Sequence, residues 1–255
     1  MSKIHETRAA LERGVAVSVV LHSRNPGAWL ADTVRRTIAT LEALAPSFEV
    51  IVCDDASTDA SEEILSRLSA TEPRLIVRHR NHPGGRHLAL REGLSLVRGT
   101  VVVTMEADGR ISPEQIPALL LGIKTGHDIV SGRRVRRQVA LLTRLRSLGA
   151  RMVLSFASGL PGRDWGCSFR AYRRHAVSAL LRCPELTFML PDLLDLQGFK
   201  SARVPVSERP VQGSWRYGHR FRSALLSIAL LRTIARLRVS GSRVKGLSAG
   251  GPGES

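Results

Sequence analysis

Between Val15 and Val130 the sequence alternates short β-branched runs with longer stretches whose apolar residues recur at helical spacing. This alternation constrains the fold most, because parallel strands need crossover helices and those helices cover both faces of the sheet. Val15 to Leu21 reads as a first strand. From Ala28 to Leu44, the residues Leu30, Val34, Ile38, Leu41 and Leu44 mark one helical face that stops ahead of Pro46. Glu49 to Cys53 reads as a second strand. Asp59, with Glu62 three residues on, has the form of a capping box for a helix from Asp59 to Ser69. A strand at Leu75–Val77, a helix at Arg86–Val97 and a strand at Val101–Met105 follow. Pro113 opens a helix to Thr125, and Asp128–Val130 is a fifth strand. The expected class is α/β, a Rossmann-like, mainly parallel sheet with helices on both faces.

Beyond Ser131 the pattern loosens. Leu141–Ser158 reads as a helix, Ser168–Tyr172 as a strand, Arg173–Leu181 as a helix, Leu190–Leu196 as helical and Ala202–Val206 as a strand. Phe221–Leu237 is a strongly apolar helix interrupted by Arg222, Arg232 and Arg236, and a Gly/Ser-rich tail of disordered composition follows Ser240.

Composition narrows the partners. With 255 residues and 43% hydrophobic content, the chain can bury one substantial core. Its formal charge is +16, and only Lys3, Lys124, Lys200 and Lys245 are lysines, so 34 of the 38 basic residues are arginine. The planar guanidinium suits phosphate, which favours anionic partners, although a solvated basic surface accounts for the same bias. Only 4% of residues are aromatic and there is no zinc-finger spacing, so nucleic acid is not the expected partner. Cys53, Cys167 and Cys183 form no Cys-x-x-Cys pair, as expected of a protein in a reducing cytosol. Met1–Gly14 lacks the apolar core of a signal peptide, and no run approaches the roughly 20 apolar residues of a membrane span.

Two of the apolar strands end in acids. Val50–Cys53 runs into Asp54, Asp55, Ala56, Ser57, Thr58 and Asp59, and Val101–Met105 runs into Glu106, Ala107 and Asp108. Open α/β sheets bind ligands beyond the carboxyl ends of their strands, so the two tips suggest one polar site, suited to a sugar nucleotide and a metal. Asp54 and Asp55 are pure acceptors, fit for nucleobase and ribose donors; an ordinary acidic turn would use the same residues. Glu106 and Asp108 flank a single residue and point to one side, a spacing that suits Mg²⁺ or Mn²⁺ gripping phosphate. Asn81–Gly93 is a Gly-rich turn into a helix. Arg133, Arg134, Arg136 and Arg137 form a basic run after the fifth strand. A dinucleotide fingerprint is missing after the first strand, where Leu21-His22-Ser23-Arg24-Asn25-Pro26-Gly27 stands instead; no Walker lysine loop or nucleophile elbow is present.

In order, the segments Val17–Asn25, Glu49–Asp59, Asn81–Gly93, Met105–Asp108, Ser131–Arg133, Asp164–Tyr172 and Arg209–Gly218 resemble the family-2 glycosyltransferases. They are most similar to polyprenol-phosphate sugar synthases of the dolichol-phosphate mannose synthase type. The resemblance implies a glycosyltransferase-A fold over residues 14–219, flanked by a flexible N-terminus (1–13), an amphipathic helix (220–239) and a disordered tail (240–255). It implies an inverting hexosyltransferase that takes a nucleoside-diphosphate sugar, of the GDP-mannose or UDP-hexose type, and transfers the sugar to a polyprenyl phosphate.

The resemblance also assigns residues. Ser23, Asn25, Asp54, Asp55, Glu106 and Arg110 would meet the donor, with Glu106 and Asp108 holding a divalent metal (Mg²⁺ or Mn²⁺). Arg133 would neutralise the donor diphosphate, and Asp164 would face the transfer centre, as the base if the acceptor were a hydroxyl. Arg144, Ser147, Arg209 and Ser214 would receive the acceptor phosphate. The implied location is cytoplasmic, peripheral at the inner face of the membrane, with Phe221–Leu237 at the interface. Two departures stand out. His22, Ser23, Arg24, Asn25 and Pro26 replace the family's Pro-x-Tyr-Asn-Glu, and Arg110, which cannot ligate a cation, replaces a Gln that often serves the metal. They leave two alternatives open: a family-2 enzyme with a non-lipid acceptor, and a non-catalytic nucleotide-sugar-binding protein with a degenerate metal site.

Overall fold

The computed structural model describes residues 17–45, 47–135, 167–182, 194 and 198–209. The elements are β1 (Val17–Ser23), α1 (Trp29–Glu42), β2 (Phe48–Asp54), α2 (Ser61–Thr71), β3 (Leu75–His79), α3 (Arg86–Leu96) and β4 (Val101–Glu106). A 3-10 turn at Pro113–Gln115 leads into α4 (Ile116–Lys124), and β5 (Ile129–Arg134), β6 (Arg170–Arg173), α5 (Arg174–Arg182) and β7 (Ser201–Val206) complete the set. The sequence-expected helices at Leu141–Ser158 and Phe221–Leu237 lie outside the described residues, as does nearly all of Leu190–Leu196.

The strands form one seven-stranded sheet in the order β3-β2-β1-β4-β6-β5-β7. Pairings are parallel between β1 and β2, β1 and β4, β2 and β3, and β5 and β7; β6 runs antiparallel to both β4 and β5. The sheet is thus mainly parallel, with a single reversed strand where the regular βα alternation ends. The chain winds outward from β1 to β3 and returns on the other side of β1 as β4, so the order reverses beside β1. A crevice at such a reversal is where open sheets take ligands.

Helices α1, α2 and α4 cover one face, where Leu30, Val34, Leu41, Leu65 and Leu119 pack on Val19, Leu21, Val50, Val52 and Val103. On the other face α3 and α5 bring Leu90, Leu94, Val177 and Leu180 against Val20, Ile51, Cys53 and Val102. Burial on both faces explains why these strands read as unbroken apolar runs rather than alternating ones. Cys53 lies in this second core, and burial pushes its thiol up to about 12, leaving it an inert packing group. Helix α3 can approach so closely because of Gly93: a Cβ there would sit 2.4 Å from a Val20 methyl and 2.8 Å from the Cys53 sulfur.

Strand ends differ from the sequence expectation in one consistent way. β1, β2 and β4 run through Ser23, Asp54 and Glu106, polar residues that stay in register with their neighbours. The expected capping box at Asp59 is not formed. The helix starts at Ser61, and Asp59 instead accepts from the Ser61 amide (3.1 Å) and hydroxyl and, across the loop, from the Gly27 amide (3.0 Å). Asp59 thereby ties the β1 exit loop to the β2 exit loop.

At the opposite end of the strands a buried polar cluster fixes the sheet. Glu49, largely buried, accepts from the Ser18 hydroxyl (2.6 Å), the Arg98 amide (2.6 Å) and the Arg98 Nε (2.8 Å), while Ser18 Oγ accepts from the Gly99 amide (2.8 Å). Burial alone would raise the Glu49 carboxyl, but the Ser18 and Arg98 donors hold it below its ordinary 4.5. A carboxylate lowered by folding stabilises fully above its unfolded value and loses that contribution as pH falls through the folded one. Glu49→Gln is therefore expected to cost about 1–2 kcal/mol at neutral pH. Urea unfolding at descending pH checks this: the gap between variant and parent should narrow below pH 4.5, and a gap independent of pH contradicts it.

Candidate active site

Parallel register lines up the acidic tips. Ser23 pairs with Asp54, His22 with Glu106, and Asp54 with His79. The ladder continues one residue further, with the Asp55 amide donating to the Ser23 carbonyl (2.9 Å) and the Ala107 amide to the His22 carbonyl (2.9 Å). The exit loops of β1, β2, β3 and β4 consequently leave the sheet together.

The two adjacent aspartates have different tasks. Asp54 is 3% exposed and accepts from the Ser57 amide (3.2 Å) and hydroxyl, with His79 Nδ1 at 3.5 Å. Asp55 is fully enclosed: its oxygens accept from the amides of Gly84 (2.7 Å) and Gly85 (2.9 Å), and Arg24 Nη1 (3.4 Å) and Arg80 Nε (3.3 Å) lie against them. With both oxygens facing donors and no exposed surface, this carboxylate joins the loops around it. Gly85, at φ +88, makes the turn that delivers the start of α3 to this clamp.

Asn25 and Ala56 have positive φ values of 46 and 55. Such backbone strain in non-glycine residues is held by over-determined contacts. Here the Asn25 amide donates to Ser57 Oγ (2.9 Å) and the Thr58 amide donates to Asn25 Oδ1 (2.7 Å). Asn25, expected to meet the donor, braces the β1 and β2 loops. Ser23 Oγ, at the tip of β1, is buried and has no hydrogen-bond partner among the described residues.

The second tip is a mixed-charge cluster. Glu106 Oε1 accepts from Arg86 Nη1 (2.7 Å) and Ser168 Oγ (3.0 Å). Asp108 Oδ1 accepts from the Arg110 amide (3.1 Å), and Arg110 Nε forms an ion pair with Oδ2 at 3.1 Å. Burial pushes Glu106 up, but the Arg86 guanidinium outweighs it and holds the carboxyl well below the usual range. Burial and then the Glu106 charge push Asp108 up to about 7, against the pull of Arg110. Behind them His22 is buried and lowered to about 4, chiefly by desolvation, so its imidazole is neutral at pH 7. The turn is shaped by Gly109, at φ +72, where a Cβ would lie 2.7 Å from the Trp29 ring.

Carboxylate oxygens are the right donors for a hard divalent cation. Yet Glu106 Oε1 and both Asp108 oxygens are already engaged by arginine or serine. Among the described residues no group of three or more His, Cys, Asp or Glu side chains is placed to hold a metal. Among the described residues the two carboxylates that would hold Mg²⁺ or Mn²⁺ thus form an atypical site, with three of their four oxygens already facing arginine or serine.

Other expected residues fall around this edge. Arg133 is exposed at the end of β5, and Arg134 beside it lies 3.9 Å from Glu208. Glu208 also lies 3.6 Å from Arg110, pairs with Ile111 in an isolated bridge, and is followed by Arg209, whose amide donates to the Arg110 carbonyl (2.8 Å). Arg209 itself is exposed. Arg136, Arg137, Arg144, Ser147, Asp164 and Ser214 lie outside the described residues. Arg86, Ser168, Glu208, Arg24 and Arg80 escaped the sequence reading of the site; only the Gly84-Gly85-Arg86 turn carried a signal, since a Gly-rich entry to a helix brings its first side chain to a strand tip.

The model of the family "Glycosyl transferase family 2" matches residues 18–181. Undecaprenyl-phosphate 4-deoxy-4-formamido-L-arabinose transferases from Pectobacterium atrosepticum and Photorhabdus laumondii are each 35% identical to the chain, over 191 and 195 residues. These alignments cover 74% and 75% of this chain and 58% and 59% of the relatives, so the chain spans under two thirds of their length. Among solved structures, glucosyl-3-phosphoglycerate synthase from Mycobacterium tuberculosis with Mg²⁺ and uridine diphosphate superposes with a TM-score of 0.68 at 22% identity, covering 91% of this chain and 83% of that one. The same enzyme with Mn²⁺, UDP-glucose and phosphoglyceric acid gives 0.65 at 22% identity, covering 91% and 84%. The shared architecture is the glycosyltransferase-A type of Rossmann-like sheet.

The clamp at Asp55 is open to a direct test. Asp55→Asn replaces a charge acceptor by a group with one acceptor and an extra donor facing two amides and two guanidiniums. The expected loss is about 3 kcal/mol of unfolding free energy in urea. Unchanged stability with lost nucleotide binding would instead assign Asp55 to the ligand.

Proposed function

This chain belongs to glycosyl transferase family 2, and we propose on that premise that it is an inverting transferase moving a sugar from a nucleoside-diphosphate sugar to a polyprenyl phosphate. The observation that carries the acceptor is the 35% identity, across three quarters of this chain, to transferases named for undecaprenyl phosphate. Those relatives transfer an arabinose derivative by name, and the solved structures carry uridine diphosphate and UDP-glucose. They support a uridine-linked donor over the GDP-mannose that the mannose-synthase resemblance suggested.

The chemistry suits the groups at the strand tips. A phosphate oxygen of the lipid attacks the anomeric carbon as the bond to the donor diphosphate breaks; the nucleoside diphosphate leaves and the anomeric centre inverts. An ionised phosphate needs no general base, so catalysis reduces to positioning two anions and stabilising charge on the leaving diphosphate. Arg86 and Arg110 supply cationic donors at the tips, Arg133 and Arg134 extend them along the same edge, and Ser23 Oγ offers a hydroxyl at β1. Arg144, Ser147, Arg209 and Ser214 remain assigned to the acceptor phosphate, and Asp164 to the transfer centre. Among the described residues no helix is long and apolar enough to cross a membrane. With a polyprenyl substrate, the reading assigns the enzyme a peripheral position at the cytoplasmic face, with Phe221–Leu237 as the segment proposed to meet the membrane.

A soluble acceptor is the second reading, favoured by the fold shared with an enzyme solved with phosphoglyceric acid. The two separate in one assay. Full-length protein with a panel of UDP-linked sugars and GDP-mannose is offered undecaprenyl phosphate or 3-phosphoglycerate, and products are resolved by extraction and mass spectrometry. Lipid-linked sugar from a UDP-linked donor is expected. Product on 3-phosphoglycerate alone would overturn the lipid acceptor.

A further inference from the structure

Glu106 and Asp108 are chemically suited to a divalent cation, yet each already carries an arginine. Arg86 reaches Glu106 from the first turn of α3, with Nη1 2.7 Å from Oε1. Arg110 reaches Asp108 from the following turn, with Nε and its own amide both at 3.1 Å. The two guanidiniums bring the same charge of two that Mg²⁺ or Mn²⁺ would bring. A cation added between them would meet two fixed positive charges at short range.

We propose that Arg86 and Arg110 take the part of the divalent cation, gripping the donor's diphosphate so that nucleotide binding proceeds without added metal. The inference rests on the nucleotide-sugar reading above and specifies how that site holds its substrate. Three features carry it. First, both guanidiniums are held in place. Arg86 follows the Gly84–Gly85 turn that Asp55 fixes, and Arg110 is flanked by Glu208 at 3.6 Å while its carbonyl accepts from the Arg209 amide.

Second, both stay partly open to solvent: the side chains are 22% and 27% exposed, against 0% for Asp55, whose oxygens are sealed. A guanidinium has five N–H donors in a planar fork, and Arg86 gives only Nη1 to a carboxylate among the described residues. The remaining edge is the geometry that binds phosphate oxygens in pairs. Third, the pairing is local: Arg110 lies two residues beyond Asp108, and its Nε stands 3.1 Å from Oδ2, so the cation sits beside the carboxylate. In this arrangement Glu106 and Asp108 are positioning residues that aim the arginines, rather than metal ligands.

Calorimetric titration of the full chain with uridine diphosphate and with guanosine diphosphate, once in EDTA and once in Mn²⁺, tests this. For the nucleotide that binds, the Kd values in the two buffers should agree within about threefold. Arg110→Gln, verified as folded by circular dichroism, should lose about tenfold or more in EDTA and regain affinity when Mn²⁺ is added. Tighter binding of the parent by about tenfold or more in Mn²⁺ would overturn the arginine role while leaving the nucleotide-sugar reading intact. So would an Arg110→Gln variant that binds like the parent in EDTA. Binding of neither nucleotide in either buffer would remove the nucleotide-sugar reading, and this inference with it.

Discussion

One enclosed carboxylate organises the functional edge of this molecule. Asp55 stands at the exit of β2 and accepts from the amides of Gly84 and Gly85 with Arg24 and Arg80 close against it, so a single charge joins the loops leaving β1, β2 and β3 to the start of α3. Removing such a group from water is costly unless every lone pair is answered, and here the backbone and two arginines answer them. The consequence reaches beyond the loop. Arg86 is the first residue of the helix so anchored, and through it the charge at the tip of β4 is set.

The tips of β1 and β4 form the crevice at which the order of the sheet reverses, and their chemistry is unusually cationic for a place where two acids meet. His22 stays neutral because it is buried. Glu106 stays ionised with Arg86 on it, and Asp108 is raised by burial and then by the charge of Glu106. Glu208 then spans the gap between Arg110 and Arg134. The edge is a lattice of alternating charges that an anionic donor can meet at the guanidinium edges not turned to Glu106 and Asp108.

Much of this was legible in the sequence, and the reasons differ by element. The parallel half of the sheet could be read because strands buried on both faces leave unbroken apolar runs, and the helices between them keep a single apolar stripe. Which of two neighbouring aspartates faces inward could not be read, since Asp54 and Asp55 are chemically identical and only the path of the Gly84–Gly85 loop separates them. The Asp59–Glu62 spacing resembled a capping box, but tertiary contact with Gly27 drew the aspartate across to another loop. Arg86, Ser168 and Glu208 lie 20, 62 and 102 positions from Glu106, and no local pattern links such residues before the sheet brings their strands together.

The charge arrangement at the β4 tip is the point on which donor binding turns. A crystal structure of the full chain with uridine diphosphate, grown in EDTA, tests it most directly. The β-phosphate oxygens are expected within hydrogen-bonding distance of the Arg86 and Arg110 guanidiniums, with Glu106 and Asp108 still paired to them. A diphosphate bound away from both arginines, or one seen only when Mn²⁺ is supplied and bridging the ion to Glu106 and Asp108, would contradict it.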